Sequence, residues 1–428
     1  EFRRVLFRSG EIVSKRIANT VIHSRTRLTY ERVQAFLDGV PGAAVSPDKA
    51  GASGGNVGAS DNGVANGGAG GTNGGIGSGT NGAIPPDVGD ALRELSLLTD
   101  ILIARRESRG SIDFELPEAK VVLNAEGNAV DIVKRDRLKA HRMVEEAMLL
   151  ANTVTATDLA ERGAPFLYRV HETPDQVKLE AYGDIARALG HDFRVSLAAE
   201  PAYLRGFLLS LKGSRNERVL NALLLRSMKK AGYSPSNAGH YGLALPVYSH
   251  FTSPIRRYPD LLMHRQIDRY ITGDGRRGRG ERDRVFYEEL GAQVTGREIL
   301  TDAAERDSVK MKVAEYMKTR LGEEFTGAIS GIIPIGFFVE LDAVFVEGLV
   351  HVSTLEDDYY EVDETGVSMV GRNRMRRFTI GDRVRIVVSR ADKEHGEVDF
   401  VLVAKEGERE RVKKVARAPL KKAGRKRR

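Results

Sequence analysis

The segments His240-Tyr241-Gly242-Leu243-Ala244-Leu245 and Tyr248-Ser249-His250-Phe251-Thr252-Ser253-Pro254-Ile255-Arg256-Arg257-Tyr258-Pro259-Asp260 carry the densest set of structural signals in this sequence. Ser253 is a good helix N-cap and Pro254 a good first helical residue, so a helix is predicted to begin there. Arg256 and Arg257 would lie in its first turn. Because free backbone N–H groups and the positive end of a helix attract anions, this pattern predicts a phosphate-binding site.

The same two segments are rich in aromatic side chains. Such rings offer flat faces on which bases can stack, or they fill a protein core. We expect two of the four to be core residues. They are Tyr241, Tyr248, Phe251 and Tyr258.

The region before these segments is predicted to be α+β. Thr29 can cap a helix that ends at Gly39, and apolar residues at helical spacing predict helices over 91–109 and 137–152. A hairpin or meander is predicted over 111–133, and a capping box at Ser214 predicts a further helix that ends near Gly232. From about Pro41 to Pro86, Gly, Ala, Asn and Ser dominate, which predicts a flexible insertion.

Beyond Gly322 the apolar spacing changes from helical to strand-like. Short β runs are separated by Gly or acidic turns, at 325–339, 348–352, 383–388 and 397–403. Four or five short strands in about 80 residues predict a small barrel, with the OB-fold as the leading candidate.

Composition limits the classes of function. The sequence has no Cys, which excludes disulfides and thiolate metal sites and fits a reducing cytoplasm, and it has no run of about 18 apolar residues. Between Arg409 and Arg428 there are 11 Lys or Arg and one Glu, a local charge of +10, so the remaining chain carries 7 − 10 = −3. Such a tail is predicted to be disordered and to attract polyanions, although it could simply be a solubilising end.

Together these motifs resemble the RNase II/RNase R family of exoribonucleases, in the form typical of RNase R. The resemblance runs from about residue 10 to 404, outside the Gly-rich insertion. It rests on the segments quoted above, with His264-Arg265 after them, and on further ordered matches at Arg27-Leu28-Thr29-Tyr30, Arg109-Gly110-Ser111-Ile112-Asp113-Phe114, Glu145-Glu146-Ala147-Met148-Leu149-Leu150-Ala151-Asn152 and Tyr168-Arg169-Val170-His171-Glu172.

The resemblance implies a domain organisation. A partial, α+β RNB catalytic domain is expected over 10–320, with the flexible insertion at 41–86. An all-β OB-fold barrel is expected over 321–404 and a disordered basic tail over 405–428. Residues 1–9 match nothing in the family and are predicted to be an artefactual start.

The resemblance also implies magnesium-dependent hydrolysis of single-stranded RNA from the 3′ end to nucleoside 5′-monophosphates. Arg256 matches the arginine that braces the scissile phosphate, and Glu305 matches a glutamate near the reacting end of the RNA. Arg257 and Tyr258 are expected to contact RNA. Without the resemblance, Glu305 would be a solvated helix-surface carboxylate near Arg306 and Lys310.

One departure from the family concerns the metal site. The family holds its metal ions with four aspartates spaced D-x5-D-x-D-D, and this spacing does not occur in the sequence; Asp357-Asp358 has the wrong surroundings. The chain alone is therefore expected to have little or no activity. The alternative is a non-catalytic RNA-binding protein derived from the RNB fold.

The carboxy-terminal barrel resembles the RNA-binding module first described in ribosomal protein S1. Phe338 and His351 match ring positions on which unstacked bases sit, and Phe337 is expected to be barrel core. Ile335 stands where many modules have a second aromatic. The expected partner is thus single-stranded RNA, with ribosomes or structured RNA as further candidates for the tail. We expect a cytoplasmic monomer that does not bind membranes.

Overall fold

The computed structural model describes residues 5–6, 10–40, 84–113, 119–134, 137–214, 216–273, 281–363 and 366–406. The predicted insertion up to residue 83 and the predicted tail from residue 407 lie outside the described residues. The chain divides into two compact units. One contains Glu1–Tyr316 with Lys393–Gly396, and the other contains Met317–Asp392 with Glu397–Arg428.

The first unit is α+β, as predicted. Its described helices are α1 (Tyr30–Leu37), α2 (Pro86–Ser108), α3 (Lys139–Glu161), α4 (Gln176–Ala188), α5 (Pro201–Leu211), α6 (Glu217–Ser227), α7 (Tyr258–Ile271) and α8 (Glu281–Lys318), the last two residues of which belong to the second unit. Its described strands form antiparallel pairs, β1 (Val5–Leu6) with β2 (Ile12–Ser14), β3 (Ala119–Leu123) with β4 (Ala129–Lys134), and β5 (Tyr168–Val170) with β6 (Gly232–Ser234). No helix among the described residues is long and apolar enough to cross a membrane.

Helices α1, α2 and α3 share a small core. Val33, Ala140 and Met143 are buried there, with leucines from α1 and α2 packed against them. The Thr29 hydroxyl accepts the backbone N–H of Arg32 at 3.3 Å and caps α1, as the sequence predicts. The hairpin of β3 and β4 also matches the prediction. Helix α3 is longer than predicted and reaches Glu161.

Helices α4, α5 and α6 enclose a second core around Tyr182, Phe193 and Phe207. Tyr241 joins this core, and its hydroxyl donates to the carbonyl of Ala198 at 2.6 Å. Helix α7 lies between two further buried clusters. One contains Met263 and Ile267 of α7 together with Phe166, and the other contains Leu262 of α7 together with Tyr233 and Tyr287.

The predicted capping box before α6 is wrong. The Glu217 carboxylate accepts the N–H of Gly213 at 2.6 Å, whereas the buried hydroxyl of Ser214 has no hydrogen-bond partner within the described ranges. Helix α6 ends at Ser227, and Gly232 begins strand β6. Strand β6 pairs with β5, which is distant in sequence, so the residues just before Gly232 do not continue the helix that their sequence predicts.

The second unit contains the predicted five-stranded closed barrel. Its strands are β7 (Glu324–Ile333), β8 (Gly336–Leu341), β9 (Glu347–His351), β13 (Arg383–Asp392) and β14 (Glu397–Lys405), in the order β13-β14-β9-β8-β7. Alternating side chains point inward, and Phe337, Val339 and Leu341 of β8 are buried. Strands β9 and β14 pair in parallel, which closes the barrel.

A second sheet of this unit was not predicted. It consists of β10 (Tyr360–Val362), β11 (Ser368–Gly371) and β12 (Arg377–Thr379), all antiparallel. Phe378 of β12 is fully buried, with its ring centroid 5.0 Å from that of Phe337. The small sheet therefore packs on the barrel core, although its strands are too short to give a clear alternation in the sequence.

Candidate functional site

One buried carboxylate organises the loop from Ser253 to Asp260. Asp260 is fully buried in the first turn of α7, and its Oδ1 accepts the backbone N–H of Ser253 at 2.7 Å. Its two oxygens also accept hydrogen bonds from the Arg257 guanidinium at 2.9 and 2.7 Å. The N–H groups of Arg256 and Arg257 both donate to the carbonyl of Ser253. The loop is consequently a turn, and the helix begins at Tyr258.

The prediction that the helix starts at Ser253 and Pro254 is therefore wrong. A carboxylate in the first helical turn interacts favourably with the positive end of the helix dipole. Asp260 occupies that place, and its carboxylate also accepts the backbone N–H of Ser253. The positive potential at the N-terminal end of α7 is thus already offset by the carboxylate of Asp260. The candidate phosphate site retains one source of positive potential, the side chain of Arg256.

The two neighbouring arginines have different environments. The side chain of Arg257 is 18% exposed and is paired with Asp260. Arg256 is exposed and forms no ion pair with any residue that the structure describes. A guanidinium offers five N–H donors in a planar fork that matches two oxygens of a phosphate. Arg256 can use this fork fully, whereas Arg257 has its Nε and one Nη committed. Tyr258 is 45% exposed and can present its ring to a ligand.

Asn152 of α3 supports the segment before this loop. Its Nδ2 donates to the Tyr248 hydroxyl at 3.0 Å, and its Oδ1 accepts the N–H of Phe251 at 2.9 Å. The Ser249 hydroxyl donates to the carbonyl of Leu167 at 2.6 Å. All of these polar groups are buried or partly buried, so the segment is held in one conformation. Two of the four aromatics, Tyr241 and Tyr248, are core residues, as expected.

Two histidines of the site are neutral parts of its framework. His250 Nδ1 lies 2.7 Å from the Tyr233 hydroxyl, and the Arg169 guanidinium lies over the Tyr233 ring and pairs with Glu298. Burial lowers the pKa of His250 to about 2, and nearby positive charges add to the effect. Burial also lowers the pKa of His240 to about 3. Neither imidazole exchanges a proton near neutral pH, so neither fits a general acid or base there.

The first unit also has a cationic cleft, which was not predicted from the sequence. It has a volume of about 410 Å³, and its lining includes Arg105, Arg106 and Arg109 of the last turns of α2 and its C-cap. Arg106 Nε donates to the buried carboxylate of Glu146 at 2.8 Å, while Arg109 is exposed and has no ion pair among the described residues. The rest of the lining is largely apolar and includes Leu243. Three arginines within five residues were the signal in the sequence.

Glu305 lies on the exposed surface of α8. It forms no hydrogen bond or ion pair with the residues that the structure describes, and this includes Arg306 and Lys310, its predicted neutralising neighbours. The structure also forms no ion pair between Glu305 and Arg256. The role expected for Glu305 at the reacting end of an RNA therefore remains a prediction.

The described residues do not fit a metal site. Within the described ranges, no group of three or more His, Asp or Glu side chains could hold a metal ion. Asp357 accepts a hydrogen bond from the Tyr360 hydroxyl and pairs with Arg376, and Asp358 binds backbone N–H groups of a turn. These two carboxylates are therefore structural.

On the barrel, Phe338 and His351 share the outer face. Phe338 pairs with Leu349, and His351 is two residues further along β9, so their side chains point to the same side. Such diagonal neighbours are about 7–8 Å apart. Phe337 points inward and is fully buried, as expected.

Both rings have defined surroundings. Phe338 lies opposite Gly331 of β7, which has no side chain to cover the ring. His351 Nδ1 accepts the N–H of Ser353 and lies 2.8 Å from its hydroxyl, so this serine fixes the orientation of the imidazole. Ile335, in the turn between β7 and β8, is 50% exposed. The arrangement provides two ring surfaces on one face, with an apolar side chain on the preceding turn.

Comparisons with known proteins agree with this architecture. The family model of the RNB domain matches residues 4–273, and that of the S1 RNA binding domain matches residues 318–402. The chain is 40% identical over 320 residues to Ribonuclease R of Aquifex aeolicus, a match that covers 75% of this chain and 45% of that protein. It is 37% identical over 338 residues to Ribonuclease R of Escherichia coli, covering 77% and 42%.

Solved structures show the same fold. The apo form of Mycoplasma genitalium RNase R matches with a TM-score of 0.78 at 24% identity, covering 94% of this chain and 57% of that chain. The same enzyme in complex with double-stranded RNA matches with a TM-score of 0.62 at 26% identity, covering 74% and 51%. The chain spans less than half the length of the two curated relatives from Aquifex aeolicus and Escherichia coli.

Proposed function

The chain belongs to the RNB family of RNase R-like proteins, and from this membership we propose that it is part of a hydrolytic 3′-to-5′ exoribonuclease. The proposed substrate is single-stranded RNA, and the proposed products are nucleoside 5′-monophosphates. The proposal concerns the whole protein, of which this chain carries an RNB region and an S1 region.

The observation that carries the proposal is the exposed guanidinium of Arg256, which lies next to the ion pair of Arg257 and Asp260, whose charges cancel. Asp260 neutralises Arg257 and holds the turn, so an incoming phosphodiester meets Arg256 as the exposed cation of this loop that has no acidic partner among the described residues. When water attacks the phosphorus atom, negative charge increases on the non-bridging oxygens. Two parallel N–H donors of Arg256 would stabilise this charge more strongly in the transition state than in the substrate.

Other residues would bind the strand. Tyr258, 45% exposed, would stack on a base, and the Nη1 of Arg257 that does not bind Asp260 would contact a neighbouring phosphate. On the barrel, Phe338 and His351 would each stack on one unpaired base. Glu305 is proposed to act near the 3′ end. The tail from residue 405 would tether RNA, including structured RNA or ribosomes.

The magnesium ions that the family resemblance implies do not fit the described side chains. The spacing D-x5-D-x-D-D is absent from all 428 residues. We propose that the aspartate cluster belongs to a part of the protein outside this sequence, and that the chain alone therefore has little or no activity. The contribution of this chain to the reaction is then limited to its contacts with the phosphodiester and with the rest of the strand.

A non-catalytic RNA-binding protein is the second candidate function. The observation that favours it is the lack of a metal-binding group among the described residues. Such a protein would use the barrel rings and the tail but would have no need for an exposed Arg256. We further propose that the protein is cytoplasmic, since the sequence has no Cys, and that it is a monomer.

The test is incubation of 3′-labelled poly(A) with magnesium and either the full-length protein or this chain. The proposal expects labelled nucleoside monophosphate from the full-length protein and a much lower yield from the chain. Binding without release of mononucleotides by the full-length protein would favour the second candidate. The gene sequence upstream of residue 10 supplies an independent check, since four aspartates with the family spacing are expected there.

A further inference from the structure

The hairpin of β11 and β12 presents an unusual tip. Its turn, Arg372-Asn373-Arg374-Met375-Arg376, connects the two short strands. Arg374 and Met375 are exposed, and so is Arg377 at the start of β12. Tyr359 lies beside the turn, because its carbonyl accepts the N–H of Arg372 at 2.8 Å, and it is 78% exposed.

A carboxylate fixes the conformation of this turn. Asp358 accepts the backbone N–H groups of Asn373 at 3.0 Å and Arg374 at 2.5 Å, and also the side-chain amide of Asn373 at 2.8 Å. A Cβ on Gly371 would lie 2.6 Å from Asp358 Oδ2, so only glycine permits this approach. The turn is therefore preorganised, and its exposed side chains lose little backbone entropy on binding a partner.

Met375 is strained without a packing reason. Its φ is +54°, a left-handed conformation that costs a non-glycine residue about 1–2 kcal/mol. Its side chain is 69% exposed and buries little that could offset this cost. The N–H of Met375 donates to the carbonyl of Gly371 at 3.1 Å, so the turn holds this residue in the strained conformation while its side chain faces solvent. Here the strained backbone places an exposed thioether in the turn of the hairpin.

Two arginines of the hairpin form ion pairs with carboxylates of this unit, and two others are exposed to solvent. Arg372 pairs with Glu361, and Arg376 pairs with Asp357. Arg374 and Arg377 form no ion pair with any residue in the described part of the chain. The acidic residues Glu361 and Asp357 thus hold the sheet, while the guanidinium groups of Arg374 and Arg377 remain exposed without an acidic partner among the described residues.

We propose that this tip is a second contact for single-stranded RNA, in addition to the outer face of the barrel. Arg374 and Arg377 bind phosphates, Tyr359 stacks on a base, and Met375 packs against the same base. The inference rests on the proposed function and adds a named site to it. Single-strand binding sites combine cationic side chains that follow the backbone with aromatic platforms, and the tip has both.

A protein partner fits the tip less well. Protein interfaces are centred on a desolvated apolar patch surrounded by a polar rim. Here the apolar exposure is limited to Tyr359 and Met375, and the adjacent groups are guanidinium groups with free N–H donors. Charge complementarity favours a polyanion.

The experiment measures binding of a fluorescent, single-stranded poly(A) oligonucleotide to the full 428-residue chain by anisotropy, across a salt series. Arg374→Ser/Arg377→Ser should lower the slope of log affinity against log salt by about 1.4, because each phosphate contact on single strands contributes about 0.7. Tyr359→Ala should weaken binding about tenfold at every salt concentration, and Tyr359→Phe should restore it.

The matched control is Arg383→Ser/Arg390→Ser. It removes the same charge from the same unit, but both side chains are held by carboxylates of the barrel. Equal slopes for the control and the Arg374/Arg377 variant would overturn the inference, and so would wild-type binding by Tyr359→Ala. If the wild-type chain itself bound no RNA, the proposed function would fail together with the inference. Circular dichroism checks that each variant is folded.

Discussion

Removal of Asp260 should destabilise the first unit far more than removal of an exposed carboxylate. The side chain is fully buried, binds Arg257 through two hydrogen bonds and accepts the N–H of Ser253. Asp260→Ala leaves a mostly buried guanidinium and a backbone N–H without their acceptor. Breaking a buried ion pair from one side costs about 3–5 kcal/mol of unfolding free energy, and we expect a loss in that range.

A double-mutant cycle separates the pair from other effects of the substitution. Arg257→Ala should also be strongly destabilising, since it leaves a buried carboxylate unpaired. The double variant removes both charges, so it should lose clearly less than the sum of the single variants. We expect a coupling free energy of about 2–3 kcal/mol, within the range known for directly bonded residues.

Arg320 and Glu323 provide a matched control. They have the same spacing of three residues and the same order, but their side chains are 41% and 47% exposed. Exposed pairs of this kind contribute about 0.2–1 kcal/mol. Urea unfolding followed by circular dichroism, analysed for the transition of the unit that carries each pair, measures both cycles for the full chain. A coupling in the Arg257–Asp260 cycle no larger than in the control would refute the view that Asp260 organises the loop.

The remaining predictions concern the phosphate contact, the barrel, two histidines and the tail. In the full-length protein, Arg256→Ala should lower turnover at least tenfold with little change in RNA binding. The Arg256→Lys enzyme should also be impaired, because a point charge does not replace the planar guanidinium. Wild-type turnover by the Arg256→Ala enzyme would contradict this prediction. Phe338→Ala should weaken oligonucleotide binding roughly tenfold, and a melted barrel in circular dichroism would instead show a core role. The pKa of His240 and of His250 is lower in the folded protein than in the unfolded chain, so the unfolded state binds more protons below about pH 6.5. The free energy of unfolding should therefore fall by up to about 2 kcal/mol per histidine from pH 7 to pH 5. Urea midpoints that do not change with pH would exclude this. Deletion after Val403 should lower the salt slope of RNA binding by about 3–4, and parallel lines would indicate a merely solubilising tail.

The barrel and the helices with strong periodic patterns could be predicted from the sequence. Strict alternation along β8 places Phe337 inside and Phe338 outside, and the structure confirms the buried position of Phe337. Thr29 is a local cap whose hydrogen bond lies within four residues, so its role can also be predicted from its neighbours. Such features depend on residues that are close in sequence.

The features that were missed depend on partners distant in sequence or on a choice between partners. Ser253 has the right neighbours to cap a helix, but the chain forms a turn there, in which Asp260 accepts the N–H of Ser253, and α7 begins only at Tyr258. The small sheet beside the barrel depends on Asp358, which binds a turn 15 residues later in the chain. No local propensity encodes either outcome, since both depend on which acceptor binds which N–H group in the folded chain.

Arg256 and Arg257 are adjacent and chemically identical, but burial gives them different roles. Arg257 is part of a structural ion pair, and Arg256 is exposed to a ligand. If both guanidinium groups faced solvent, they would repel each other and share an anion between them. Because Asp260 neutralises Arg257 in a low-dielectric environment, where charges interact strongly, the loop presents its remaining cation at one position. An anion that binds the loop is therefore directed to Arg256, whose backbone is fixed by the turn that Asp260 holds. In this arrangement the buried ion pair contributes to the site by restricting where the positive charge lies.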